Sequence, residues 1–158
     1  PFTLPKTITT PELTEELIIA SDQSLQQIIP LWLANVIEAA PQEIVTLAAS
    51  TEPTYSRKLS KTDSILDWQK PAEVLEREIR AFIGWPKSRA SFGGLEVIIT
   101  EAHIIPEYGT PGKRTVINKQ PIIYCGNQAL VIDKIKPAGK KEMTGEAFLA
   151  GYKQIFLS

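Results

Sequence analysis

The hydrophobic period of this chain shifts from helical to strand-like, and that shift limits its fold more than any other feature. Early on, Leu25, Ile28, Ile29, Trp32, Leu33, Val36 and Ile37 recur at i, i+3, i+4, i+7 and i+8, the spacing of one helical face. Later, Leu95, Val97 and Ile99 alternate with Glu96, Ile98 and Thr100, the period-two pattern of a strand. Helices therefore lead and a sheet follows.

Local signals place the elements. Thr10-Pro11-Glu12 reads as a helix start: a hydroxyl, a proline at the first position and an acid at the positive dipole end. Ser24 and Gln27 resemble a capping box that opens a second helix, with Pro30 on the face opposite its apolar stripe. Pro41, Pro53 and the Ala48–Thr51 run mark a linker, with Ile44–Leu47 as a possible short strand. A third helix is expected from Pro71, with Leu75, Ile79, Phe82 and Ile83 on one face. Glu73–Arg77 and Glu76–Arg80 pair on the other face, and Gly84 can cap the end. Ala90–Phe92, Gly93-Gly94 and Leu95–Thr100 read as a hairpin. Further strands are expected at 101–105, 114–117, 121–125 and 128–135, followed by a basic loop at 134–141. A short helix capped by Thr144 and stapled by Met143 and Phe148 closes the chain, with Gly151 at its end. About five short strands with helices at the edges predict a mainly β, α+β fold. The expected form is a small, partly open β-barrel like the OB-fold, after a helical segment and a linker.

At 158 residues, 43% hydrophobic and 22% charged, the chain has an ordinary globular composition. No apolar run is long enough for a membrane span, and no signal peptide is visible. The lone Cys125 excludes an internal disulfide and points to a reducing compartment. Pro1 in place of Met suggests a fragment or a processed product. Net charge is −1, but its distribution is uneven. Residues 1–50 carry Lys6 against six acids, whereas 51–158 carry 16 basic and 12 acidic residues.

Chemistry-bearing residues are few. His103 lies in an expected strand without an acid motif beside it, so a strand-face role outweighs that of a general base. Cys125 follows Ile-Ile-Tyr, which points to a buried structural thiol. Asp63 and Asp67, four apart near a helix start, are read as capping groups rather than paired catalytic carboxylates. No His/Cys metal spacing, Walker loop or dinucleotide fingerprint occurs. Arg77 and Arg80 have helical acid partners. Trp68 and Trp85 flank the third helix and are read as core anchors ahead of base-stacking platforms. Lys134, Lys136, Lys140 and Lys141 gather within eight residues, opposed only by Asp133. Taken alone, the cluster is a solvated lysine loop before it is a phosphate site; Lys58 and Lys61 form a second group.

Two blocks are distinctive. The first is Lys58-Leu59-Ser60-Lys61-Thr62-Asp63, then Ile65-Leu66-Asp67-Trp68, Pro71-Ala72, Ile79-Arg80-Ala81-Phe82 and Trp85-Pro86. The second is Pro137-Ala138-Gly139-Lys140-Lys141, then Met143 and Phe148–Gly151. In order and spacing both resemble the carboxy-terminal domain of methionyl-tRNA formyltransferases. One departure is Ile83-Gly84, where that family has Asn-Pro. The resemblance divides the chain into a helical tail of the catalytic domain (1–40), a linker (41–57) and a carboxy-terminal OB-like tRNA-binding domain (58–158). It implies a parent enzyme that moves a formyl group from 10-formyltetrahydrofolate, its cosubstrate, to the amino group of initiator methionyl-tRNA. The family's catalytic and folate motifs belong to an amino-terminal domain and are not found here, so no catalytic, cofactor or metal residues are expected. The resemblance reverses the reading of the lysines: Lys58, Lys61, Lys136, Lys140 and Lys141 become the expected tRNA-binding residues. Expected partners are initiator tRNA and the catalytic domain, in a monomer without membrane contact, in the cytoplasm or an organellar matrix. Two alternatives remain: the corresponding domain of another folate-dependent formyltransferase, and a stand-alone OB-like module binding nucleic acid or protein.

Overall fold

The structure, a computed structural model, describes residues 3–39 and 55–158. Most of the expected linker, including the possible strand Ile44–Leu47, lies outside the described residues. The chain divides into two compact units, Glu12–Lys58 and Pro1–Pro11 with Leu59–Ser158.

Helix α1 runs unbroken over Thr10–Leu33, where the sequence predicted two helices. Ser24, expected as a cap, donates its hydroxyl to Ala20 O at 2.8 Å, a bond back to the preceding turn that a residue inside a helix can make. Pro30 is accommodated within the helix. The end comes earlier than the apolar stripe implied. Asn35 turns left-handed at φ 55°, Val36 N donates to Leu31 O and Asn35 N to Trp32 O, the Schellman arrangement. None of the helix is buried, and Ile18, Leu25, Ile28, Ile29 and Trp32 stand exposed. Among the described residues no helix is long and apolar enough to cross a membrane.

In the second unit, Ser60 opens a single 3-10 turn, Lys61–Ser64, and its amide donates to Asp63 Oδ2 at 2.7 Å. Asp67 accepts from Gln69 N at 3.0 Å, so both carboxylates act as caps. Helix α2 (Ala72–Ala81) starts after Pro71 and buries Leu75 and Ile79. Its outer face carries the two expected ion pairs, Glu73–Arg77 at 2.5 Å and Glu76–Arg80 at 2.6 Å. Arg80 also donates to Ile8 O, and Thr10 to Ala81 O, which fastens the amino-terminal segment to the end of α2.

The strands are β1 (Ser88–Phe92), β2 (Leu95–Ile105), β3 (Arg114–Ile117), β4 (Gln120–Tyr124), β5 (Ala129–Pro137) and β6 (Met143–Thr144). They form one antiparallel sheet ordered β1-β2-β5-β4-β3, with β6 on β5. The fold is α+β as expected. Barrel closure is not formed among the described residues, because β1 and β3 end the path. What the sequence suggested were separate strands at 95–100 and 101–105 is one strand with an irregularity. Ile99 pairs with Ile135, Glu101 with Lys134 and Ala102 with Ile132, so Thr100 and Asp133 drop out of the ladder.

The main core lies on one face of the sheet, under α2 and α3 (Gly145–Leu157), and a smaller buried cluster of Ile122, Ala129 and Val131 lies on the other. Thr144 caps α3 as expected, accepting from Ala147 N at 3.2 Å. Gly151, expected as the end of α3, marks a kink instead: Tyr152 has φ −129°, and the helix resumes to Leu157. Packing explains the extension. Phe156 is fully buried, and its ring meets Phe92 edge-on at 5.2 Å and Phe148 at 6.2 Å. Trp68 is half-buried against this core, but Trp85, expected as an anchor, is 53% exposed.

Candidate nucleic-acid interface

The residues that matter here are placed by strand register. Neighbours across antiparallel strands share a face, and Arg89 pairs with Ile98, which pairs with Lys136. Arg89, Ile98 and Lys136 therefore form one row across β1, β2 and β5, opposite the core. The two cations lie two strand spacings apart, about 10 Å, with an aliphatic side chain between them. The core side is fixed by the alternate residues: Ser88, Ala90, Phe92, Val97, Ile99 and Ile135 are buried.

Two adjoining grooves run along this face, and a third reaches from it to the core side at the end of α2, where Ile79 and Ile99 line it. One of about 320 Å³ is lined by Lys61, Ser64 and Arg89. The next, about 240 Å³, shares Arg89 and Glu96 with it and reaches Lys136 and Gly139. The last, about 420 Å³, shares Ile98 and Lys136 and adds Lys87, Lys141 and Phe82. Lys61, Lys87, Arg89, Lys136 and Lys141 thus border one continuous surface, with Glu96 and Glu142 as its acidic members. All five cations are exposed, and among the described residues none has a carboxylate at ion-pair distance. Such unpaired charges act on an anionic partner without first breaking an internal pair.

The expected binding residues divide accordingly. Lys61, Lys136 and Lys141 come together although 75 residues separate Lys61 from Lys136. Lys140 is exposed in the turn after β5, where its amide donates to Pro137 O at 3.0 Å and Gly139 supplies φ 72°, but it does not line the grooves. Lys58 is exposed and is the last residue of the other unit. Lys134 is corrected: it is opposed by Glu101, whose carboxylate lies 2.6 Å from its ammonium. That hydrogen bond and the accompanying charge attraction raise the Lys134 pKa.

Lys87 and Arg89 were missed. The signal for Arg89 was present, since the Gly93-Gly94 turn sets Phe92 opposite Leu95 and counting back puts Arg89 opposite Ile98. Lys87 carried none; it sits at φ 70°, a left-handed conformation unusual for lysine.

His103 also needs correction. An acid does stand beside it, brought by the neighbouring strand: Asp133 oxygens lie 2.8 and 2.9 Å from His103 Nδ1. The pair is on an exposed strand face and borders none of these grooves. Cys125 is buried as expected, and burial pushes its pKa up to about 11, so it is no nucleophile. Among the described residues no group of three metal-ligating side chains forms.

Known proteins are similar to this chain in sequence and in fold. The formyl transferase C-terminal domain profile matches residues 58–153. A methionyl-tRNA formyltransferase of Chloroflexus aurantiacus is 32% identical over 152 residues, covering 94% of this chain and 47% of that protein. One from Thiobacillus denitrificans is 42% identical over 106 residues, covering 63% of this chain and 34% of the relative. The chain thus spans about half, or less, of the length of these relatives. HypX from Aquifex aeolicus has the same fold at a TM-score of 0.63 and 15% identity, over 97% of this chain and 28% of HypX. With the sequence match extending over most of the chain and the same fold in a solved structure, this chain belongs to the formyl transferase C-terminal domain family.

Proposed function

We propose that this chain is the tRNA-binding carboxy-terminal portion of a methionyl-tRNA formyltransferase. The observation that carries the reading is the continuous cationic surface of Lys61, Lys87, Arg89, Lys136 and Lys141 on and beside the sheet face opposite the main core. The names of the relatives point to methionyl-tRNA over other acceptors. Each exposed cation replaces counterions on a phosphate, so affinity comes from charge and falls steeply with salt. Arg89 and Lys136 sit on paired strands, which fixes the spacing of these two charges and favours a folded RNA over a flexible strand.

In this reading the chain holds the substrate and the chemistry lies elsewhere in the parent enzyme. Formyl transfer needs a base at the amine and donors for the developing oxyanion. His103–Asp133 offers a base but sits outside the grooves, so the folate cosubstrate and the transfer are assigned to the amino-terminal part. The exposed apolar residues of α1, together with the length of the relatives, support a catalytic domain that covers this helix. The protein works as a monomer in the cytoplasm, where initiator tRNA is formylated. The sheet is read as OB-like; its support is β5, which pairs with β2 along one side and with β4 and then β6 along the other.

The test is a titration of the chain with folded initiator tRNA and with a single-stranded oligonucleotide of equal length, at several salt concentrations. Salt-sensitive binding that prefers tRNA is expected. Replacing Lys136 and Lys141 together by alanine should lower the slope of log affinity against log salt by about two units. An unchanged slope would remove this surface from the interface.

A further inference from the structure

The last groove differs from the other two. Its walls include Ile79, Phe82, Ile83 and Ile98, and three of the five lysine and arginine cations, Lys87, Lys136 and Lys141, border it. At about 420 Å³ it is in the size range of small-molecule recesses. Thr100 also lines it, and Thr100 is the residue left out of the β2–β5 ladder. Bulges of this kind re-aim a side chain. The Thr100 hydroxyl is closed off from solvent and has no hydrogen-bond partner among the described residues. An unsatisfied buried hydroxyl is costly and calls for an explanation. Lys87 adds a second local cost, because a left-handed lysine is retained at the edge of the same recess.

An apolar wall with one aromatic ring, a polar group awaiting a partner and several phosphate-binding ammonium groups suit one chemical class. We propose that this recess takes a single unpaired nucleotide, its base against Phe82 and Ile98 and its phosphate among Lys87, Lys136 and Lys141. A turn about χ1 of Thr100 brings its hydroxyl from its closed position into the recess, where it bonds the base edge or ribose. The inference rests on the tRNA-binding reading and extends it: the sheet face grips the backbone of the RNA, and the recess holds one nucleotide out of the stack. Single-stranded loops and ends of RNA present such nucleotides.

The experiment titrates the whole chain with each of the four nucleoside 5′-monophosphates and, separately, with inorganic phosphate, following backbone amide resonances. At least one nucleotide should shift Gly84, Lys87 and Thr100 saturably, and phosphate alone should leave Thr100 unmoved. Thr100→Val, which keeps the branched shape, should weaken that nucleotide roughly three- to tenfold, the worth of one hydrogen bond. Thr100→Ser should keep its affinity. The Thr100→Val protein should retain the wild-type salt slope for tRNA. The recess proposal is overturned if no nucleotide moves these amides in the wild-type chain, if phosphate moves them equally, or if Thr100→Val binds as tightly as wild type. A salt slope that responds to the lysine variants alongside any of those results leaves the tRNA reading standing; a slope that does not respond removes both.

Discussion

Thr100 on β2 and Asp133 on β5 are both left out of the ladder that joins their strands, and they compensate each other. On one side of them Ile99 pairs with Ile135, and on the other Ala102 pairs with Ile132, so both strands lose one residue and the register is restored. The bulges also shift the alternation. Val97 and Ile99 face the core before Thr100, and Ala102 and Ile104 face it afterwards. Deleting Thr100 alone should keep Ala102 and Ile104 on the core side but leave the Asp133 bulge unmatched, bending β5 against a now regular β2 and lowering stability. Deleting Thr100 and Asp133 together should give a regular ladder with the same core. Thermal unfolding of the three variants checks this; the double deletion should melt above either single one.

Lys134 and Arg89 should behave oppositely in tRNA binding. Lys134 is held by Glu101, whereas Arg89 has no ion-pair partner among the described residues and shares its row with Lys136. Arg89→Ala should lower the salt slope by about one unit, while Lys134→Ala should leave it within error of wild type. The same titration at several salt concentrations measures both.

Gly145 begins α3 where the chain crosses closely over β5. A Cβ there would stand 2.1 Å from the Ile132 carbonyl oxygen and 2.8 Å from the Pro121 ring. Backbone cannot yield as a flexible side chain does, so Gly145→Ala should destabilise by about 3 kcal/mol or more. Gly151→Ala, with no atom in the way, should be neutral or slightly stabilising, because alanine is the better helix former. Chemical denaturation of the two variants gives the comparison.

The Cys125 thiol should resist alkylation in the native protein and react once the chain unfolds. Its pKa is raised to about 11 from 9.0, chiefly by burial, so the folded state keeps the proton that the unfolded state releases first. The sign follows: below pH 9 the thiol is neutral in both states and costs nothing, and stability falls as pH rises from about 9 through 11. Cys125→Ala should remove that part of the alkaline loss, as denaturation midpoints between pH 8 and 11 would show.

Much of this architecture is written locally. Third-helix apolar spacing, the Gly93-Gly94 turn and the Thr144 cap each depend on interactions within a few residues, and each appears where the sequence puts it. Two local signals failed, and only one of them to distant packing. Ser24 reads as a cap, but the turns on both sides of it continue as one helix. Gly151 reads as a stop, yet burial of Phe156 against Phe92 draws the helix past it.

The candidate interface divides in the same way. The sequence determined by itself that cations cluster near Lys61 and from Lys134 to Lys141, because clustering is a property of the chain. Which of them act together was decided only by the tertiary structure. Registers β1–β2 and β2–β5 join residues 89, 98 and 136, and the two bulges give Lys134 to Glu101 and Asp133 to His103. Strand pairing between distant segments is a relation that no local pattern contains; it sets Arg89 and Lys136 in one row, and the segments beside the sheet bring Lys61, Lys87 and Lys141 to its border.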